Sequence, residues 1–189
     1  MDSATHFFFA LTLPEEIKEG LYLQSQQIRK DFPFKKWLHR DDYHITLAFL
    51  GNAPESQRQE AVRLVENSLK NESDFTLKLT GVGTFGDKKS PRILWAGVEE
   101  DDRLRSVQKK VYEACVEAGF TLDKKPFTPH ITLARKYTGE QFSLERLQQT
   151  ADSKQTTDFV ATKVSLYQTH LGVSPSYELI AAINLRSDT

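Results

Sequence analysis

The pentapeptide His-Ile-Thr-Leu-Ala occurs twice in this 189-residue chain, from His44 and again from His130. Average residue usage gives such a coincidence in only about one chain in a hundred of this length. An extended strand alternates its faces, so His44, Thr46 and Ala48 are expected on one side, with Ile45, Leu47 and Phe49 on the other. His130, Thr132 and Ala134 repeat the arrangement, with Ile131 and Leu133 behind them. At a rise of ~3.3 Å per residue each histidine stands about 6.6 Å from its threonine. An imidazole can then meet a reacting oxygen while the hydroxyl holds another oxygen on the same phosphorus. Two such pairs suit the opening or closing of a cyclic phosphodiester. That reaction needs a base for the attacking oxygen and an acid for the leaving one, and a neutral and a protonated histidine supply both near neutral pH.

Other uses of histidine fit less well. Two distant histidines give at most half of a tetrahedral zinc site, and no cysteine or carboxylate recurs beside them, so neither a metal nor another cofactor is expected. No Gly-x-Ser-x-Gly turn points to a serine nucleophile. With a formal net charge of −1 the chain lacks the global basic field of a strong nucleic-acid binder, so any anion is handled locally. Cys115 is the single cysteine, which excludes an intramolecular disulfide and fits an inert core thiol in a reducing compartment. The apolar run Phe7 to Leu11 ends before Pro14, too short for a membrane span, so it reads as a buried strand and the protein as cytoplasmic with no membrane partner.

Positioning two motif strands takes a scaffold, and the chain supplies elements in a repeating order. His6 to Thr12 reads as a strand. Pro14-Glu15-Glu16 opens a helix through about Lys30, with acids at the positive end of its dipole. Tyr43 to Leu50 is a strand closed by Gly51, and Pro54-Glu55 starts a helix with Ala61, Leu64, Val65 and Leu69 on one face. Phe75 to Phe85 and Arg92 to Val98 form a hairpin around a basic tip. Leu104 to Ala118 is a helix, Pro129 to Ala134 a strand, and Leu144 to about Ala151 a short helix. Phe159 to Tyr167 and Tyr177 to Leu185 make a final strand pair. The repeated order around the two motifs predicts an α+β fold of two similar lobes, one domain over residues 1–189.

The paired His-x-Thr strands resemble those of the 2H phosphoesterase superfamily. Their setting is similar to its RNA 2′,3′-cyclic phosphodiesterase family, also called 2′-5′ RNA ligase or LigT-like. The resemblance rests on "FFFALTLPEEIKEGL", "HITLAFLG", "GVGTFGDKKSPRILWAGV", "FTPHITLAR" and "VSLYQTHL...YELI", nearly the whole chain. It implies a bilobal fold of two pseudo-symmetric lobes, with antiparallel sheets around a central cleft. It also implies metal-free opening of RNA or nucleotide 2′,3′-cyclic phosphate ends to 2′-phosphates, with a weak reverse 2′-5′ ligation. By the same resemblance His44 is the acid, His130 the base, and Arg135 faces substrate, although strict alternation sends Arg135 to the far side of its strand. An RNA end also needs a stacking partner, for which Phe9 and Phe85 are the candidates beside a core role. Position 6 is His where family members commonly carry Arg. His6, His39 and His170 are expected in structural or solvated roles. Lys35, Lys36, Lys88, Lys89, Arg92, Lys124 and Lys125 are expected as a solvated basic rim, and the protein as a monomer. Two alternatives stand beside this reading. One is a related phosphodiesterase acting on 2′-5′ oligonucleotides or nucleotide cyclic phosphates; the other is a non-catalytic module that binds RNA ends.

Overall fold

A computed structural model describes residues 5–151 and 157–188. The domain expected over 1–189 therefore extends at three places beyond the described residues. The strands are β1 (Phe7–Thr12), β2 (Phe34–Trp37), β3 (His44–Gly51), β4 (Phe75–Gly86), β5 (Pro91–Val98), β6 (His130–Tyr137), β7 (Thr157–Ala161), β8 (Lys163–Thr169) and β9 (Tyr177–Asn184). The helices are α1 (Glu15–Arg29), α2 (Glu55–Leu69), α3 (Asp102–Glu117) and α4 (Leu144–Thr150), with a 3-10 turn at Arg40–Asp42. The α+β class is as expected. Two elements differ: β2 is an additional strand, and the run from Phe159 to Tyr167 is broken at Thr162 into β7 and β8.

All nine strands join one antiparallel sheet in the order β7-β4-β5-β6-β3-β1-β8-β9, with β2 added on β6. It consists of two halves, and the two motif strands are the inner edges at which they meet. Between β3 and β6 a single residue pair, Ile45 with Ile131, makes the join. The halves do not follow chain order, because β8 and β9 return from the carboxyl end to extend β1. Helix α3 packs on β3 with α2 beside it, while α4 packs on β4 and contacts α1. Each half is thus covered on its apolar side by a helix pair. In α2 the buried residues are Ala61, Leu64, Val65 and Leu69, the face that the spacing predicts. Phe9, Leu11, Ile45, Leu94, Ile131 and Leu133 form the centre of the core, each fully buried. Cys115 lies there too, and burial pushes its thiol up to about 12, which leaves it protonated and inert. No described helix is long and apolar enough to cross a membrane.

Both motif strands carry a bulge at the same place. Along β1 and β3, Ala10 pairs with Thr46 and Phe9 with Ala48, so Leu47 is the extra residue. Along β5 and β6, Trp95 pairs with Thr132 and Leu94 with Ala134, which makes Leu133 the extra residue. A bulge frees a carbonyl from the ladder, and a buried one needs a new donor. For Leu47 the donor is the Gln108 side chain of α3 at 3.2 Å; for Leu133 it is the Leu38 backbone N–H at 3.0 Å, just after β2. The additional strand thereby acquires a purpose. Gln108→Met keeps the shape and removes the donor, which should cost about 1–3 kcal/mol for the orphaned carbonyl. A thermal melt should then show Tm lowered by at least ~2 °C; an unchanged Tm would mean that the bulge needs no support from α3.

Candidate active site

The bulges decide which side chains share the face of the two histidines. Cross-strand partners lie on one face, so Thr12 opposite His44, Ala10 opposite Thr46 and Phe8 opposite Phe49 define it in the first half. Gly97 opposite His130, Trp95 opposite Thr132 and Ile93 opposite Arg135 define it in the second. Past each bulge the phase inverts. Ala48 and Ala134, expected on this face, are buried in the core. Phe49, expected in the core, is 54% exposed on the site face. Arg135 arrives beside Thr132 for the same reason, which removes the conflict between alternation and the role implied by resemblance.

Phe9 is corrected by the same register. It is fully buried opposite Ala48 and cannot meet a ligand, because Phe8 occupies the neighbouring position on the site face. The Phe8 ring lies 4.8 Å from the His44 ring and stacks on Tyr167 at 5.6 Å. Phe85 lies edge-on to His130 at 4.9 Å and is backed by Trp95 at 5.4 Å. Each histidine therefore has one phenylalanine against it. Gly83 makes room for this wall, since a Cβ there would meet the Trp95 ring at 2.4 Å.

Both imidazoles are held in the same tautomer by backbone two residues upstream. His44 Nδ1–H donates to the Asp42 carbonyl at 2.7 Å, and His130 Nδ1–H to the Thr128 carbonyl at 2.8 Å. A carbonyl only accepts, so the Nε2 lone pair of each neutral ring faces the site. The pairs differ at that atom. Thr46 donates its hydroxyl to His44 Nε2 at 2.9 Å, whereas among the described residues no such bond joins Thr132 to His130. Removal from water pushes His44 down to about 4, against the pull of the Asp42 carbonyl, with the charges of His130, Arg135 and Lys18 lowering it further. His130 is lowered mainly by burial and also by Arg135, while the Thr128 carbonyl opposes the shift. The charge of Arg135 lowers both imidazoles and opposes the upward push of burial on the Tyr177 hydroxyl, so it is felt in both halves.

Other histidines are used structurally. His39 Nδ1 accepts from the Asp41 N–H, His170 pairs with Glu178 at 2.6 Å, and His6 sits edge-on to Phe49 at 5.5 Å. Among the described residues no three His, Cys, Asp or Glu side chains form a group that could hold a metal ion. Lys35, Lys36, Lys88, Lys89, Arg92, Lys124 and Lys125 are all exposed, as a rim should be. A cavity of about 580 Å³, lined by Thr12, Tyr167 and Tyr177 and by both acids (Glu15, Glu16, Asp41) and lysines (Lys18, Lys163), lies beside Thr12, the residue opposite His44.

A family model described as the 2′-5′ RNA ligase superfamily matches residues 14–172. The chain belongs to that superfamily. It is 40% identical over 182 residues to an RNA 2′,3′-cyclic phosphodiesterase of Geobacillus stearothermophilus, which covers 96% of this chain and 57% of that one. The chain thus spans just over half the length of that relative. Over 188 residues it is 35% identical to an RNA 2′,3′-cyclic phosphodiesterase of Bacillus subtilis, with 97% and 98% of the two chains covered. Among solved structures, TT0787 of Thermus thermophilus superposes with a TM-score of 0.78, 23% identity and coverage of 97% and 100%. Escherichia coli LigT complexed with 3′-AMP gives 0.76, also at 23% identity, with coverage of 97% and 99%. These two likenesses establish the superfamily's fold for this chain.

Sequence reasoning missed Phe49 and Phe8. A signal for Phe49 was present: it stands five residues after His44, as Arg135 stands five after His130. Because burial lowers both imidazoles, the unfolded chain takes up their protons first, near pH ~6.5. Their contribution to stability is complete above that value and is lost as pH falls towards 4. NMR titration of the ring protons should give midpoints below ~6.5 for both histidines, with His44 the lower. Added inorganic phosphate should raise both, and midpoints at or above ~6.5 in the free protein would refute the dry setting.

Proposed function

We propose that the protein opens RNA or nucleotide 2′,3′-cyclic phosphate ends to 2′-phosphates without a metal ion. The observation that carries this reading is the pair of Nε2 lone pairs, fixed by backbone carbonyls on two adjoining strands, with Arg135 on the same face and a threonine beside each. The activity for which the two bacterial relatives are named supports the substrate class. His130, whose Nε2 is not taken up by Thr132, is the base that draws the proton from water. The resulting hydroxide attacks phosphorus, and the bond to the ribose 3′ oxygen breaks. His44, protonated in the bound complex, gives its proton to that oxygen. A bound phosphate anion favours that charged form, opposing the desolvation that favours the neutral ring. Thr46, Thr132 and Arg135 hold the non-bridging oxygens, where negative charge grows. Phe49 and Phe85 offer ring faces to the base of the terminal nucleotide. Run backwards with a ribose 2′ hydroxyl in place of water, the same groups make a 2′-5′ link. Metal independence is supported by the lack of a ligand cluster among the described residues. The working form is a monomer.

Turnover of 2′,3′-cyclic nucleotides should survive exhaustive EDTA treatment, and activity restored only by added zinc or manganese would overturn the mechanism. Thr46→Ala and Thr132→Ala should each lower kcat by about 10–1000-fold, the range for one preorganised donor. A diester with a nitrophenolate leaving group needs little proton donation and so separates the two rings. His44→Ala should lose far less on it than on a ribose cyclic phosphate, whereas His130→Ala should stay crippled on both. The opposite pattern would exchange the roles.

A further inference from the structure

The Asp42 carboxylate is buried, at 4% exposure, and makes no ion pair among the described residues. Instead it accepts two backbone N–H groups from the start of β9. Oδ2 takes that of Ser176 at 2.8 Å, and Oδ1 that of Tyr177 at 3.2 Å. The same residue's carbonyl is the acceptor for His44 Nδ1–H. Asp42 therefore ties the beginning of one motif strand to a segment more than a hundred residues later in the chain.

What it holds there is an aromatic wall. The Tyr177 ring stands edge-on to His44 at 5.3 Å and 82°, and edge-on to Phe8 at 4.9 Å and 81°. With Phe8 against the imidazole at 4.8 Å, these rings enclose His44 on two sides. An edge-to-face contact directs the positive ring edge at a π face and depends on angle as well as distance. Tyr177 can keep that angle only while the backbone at Ser176 and Tyr177 stays in place. The β8 ladder, which pairs Thr169 with Tyr177, and the His170 N–H bond to the Ser176 carbonyl also hold this turn, but of these only Asp42 ties it to the start of β3.

We propose that Asp42 is a positioning residue for His44: its carbonyl fixes the ring's tautomer, and its carboxylate holds Tyr177 as the ring's second wall. The inference rests on His44 acting as the proposed acid. It goes beyond that reading by giving the acid a support outside the repeated motif. Around His44 the charged and titratable groups are His130 and Arg135 from β6, Lys18 from α1, Tyr167 from β8, Tyr177 from β9 and Asp42 itself.

Asp42→Asn keeps the shape but leaves one acceptor for two N–H donors. On a ribose 2′,3′-cyclic phosphate it should lower kcat about tenfold with KM changed less than about threefold, and on a nitrophenyl diester it should stay within about threefold of the parent. Tyr177→Ala should reproduce that pattern, and Asp42→Asn should then add little in its background. Tyr177→Phe, which keeps the ring, should retain most of the activity. By NMR the His44 midpoint should rise towards ~6.5 in Asp42→Asn and Tyr177→Ala, as water reaches the ring, and should stay low in Tyr177→Phe. Equal losses on both substrates, additive losses in the double variant, or Tyr177→Phe as damaged as Tyr177→Ala would each overturn the proposal. The NMR measurement needs no turnover. If the parent protein opened no cyclic phosphate, the proposed function would fail while the midpoints still decided whether Asp42 maintains the wall.

Discussion

The single residue pair between Ile45 and Ile131 is the constraint on which the site depends. Its antiparallel sense brings the His44 end of β3 towards the Thr132 side of β6, and the Thr46 side towards His130. A longer ladder would flatten the junction, and a missing one would leave the halves free to separate. Both isoleucines are fully buried, so the join is a core contact as well as a hydrogen-bonded one. On either side of it the strands diverge to different neighbours, β3 to β1 and β6 to β5. The paired chemistry therefore stands where two half-sheets meet, with a helix pair holding each half rigid behind it.

Placing two imidazoles in a partly dry setting among cations has an electrostatic cost. Burial, Arg135 and Lys18 all favour the neutral ring at His44, and the Asp42 carbonyl only partly opposes them. Both rings are thereby held as neutral bases. A phosphate supplies the missing negative charge and raises the proton affinity of whichever ring lies nearer the leaving oxygen. Under the proposed reaction, proton donation is thereby tied to occupancy. The same fields make the Arg135 guanidinium more effective, because a charge in a poorly solvated place acts over longer range.

Much of this was legible in sequence wherever a period of 3.6 or 2 ran unbroken. The buried stripe of α2, the hairpin of β4 and β5, and the pairing of His44 with Thr46 and of His130 with Thr132 on one face followed from spacing alone. What failed did so at the bulges. Leu47 and Leu133 are extra residues only relative to Phe9–Ala10 and Leu94–Trp95, and nothing in a strand's own composition announces a mismatch with its partner. Ala48 and Phe49 were lost for that reason, whereas Phe8 lies on the face of Ala10 and Thr12 by plain alternation along β1. Strand β2 is four residues long with two exposed lysines, too short to show a period, and its role is to complete β6. The break at Thr162 separates strands that pair in different halves, which only the assembled sheet reveals.

The equivalence of Phe49 and Arg135 carries the symmetry argument one step further. Both stand just past a bulge, five residues after a histidine, on the same face of a motif strand. Had both been arginine, two guanidiniums would have flanked the paired imidazoles and driven them further towards neutrality, disfavouring the protonated form that an acid needs. With both aromatic, no fixed cation would have opposed the charge growing on phosphorus. One of each divides the work. Arg135 carries a charge that acts on both rings and on Tyr177, while Phe49 presents an uncharged face that His6 props from the edge. The repeated fold gives two equivalent slots, and under the proposed function the chain fills them differently because a nucleotide end has two unlike parts, an anion and a flat ring.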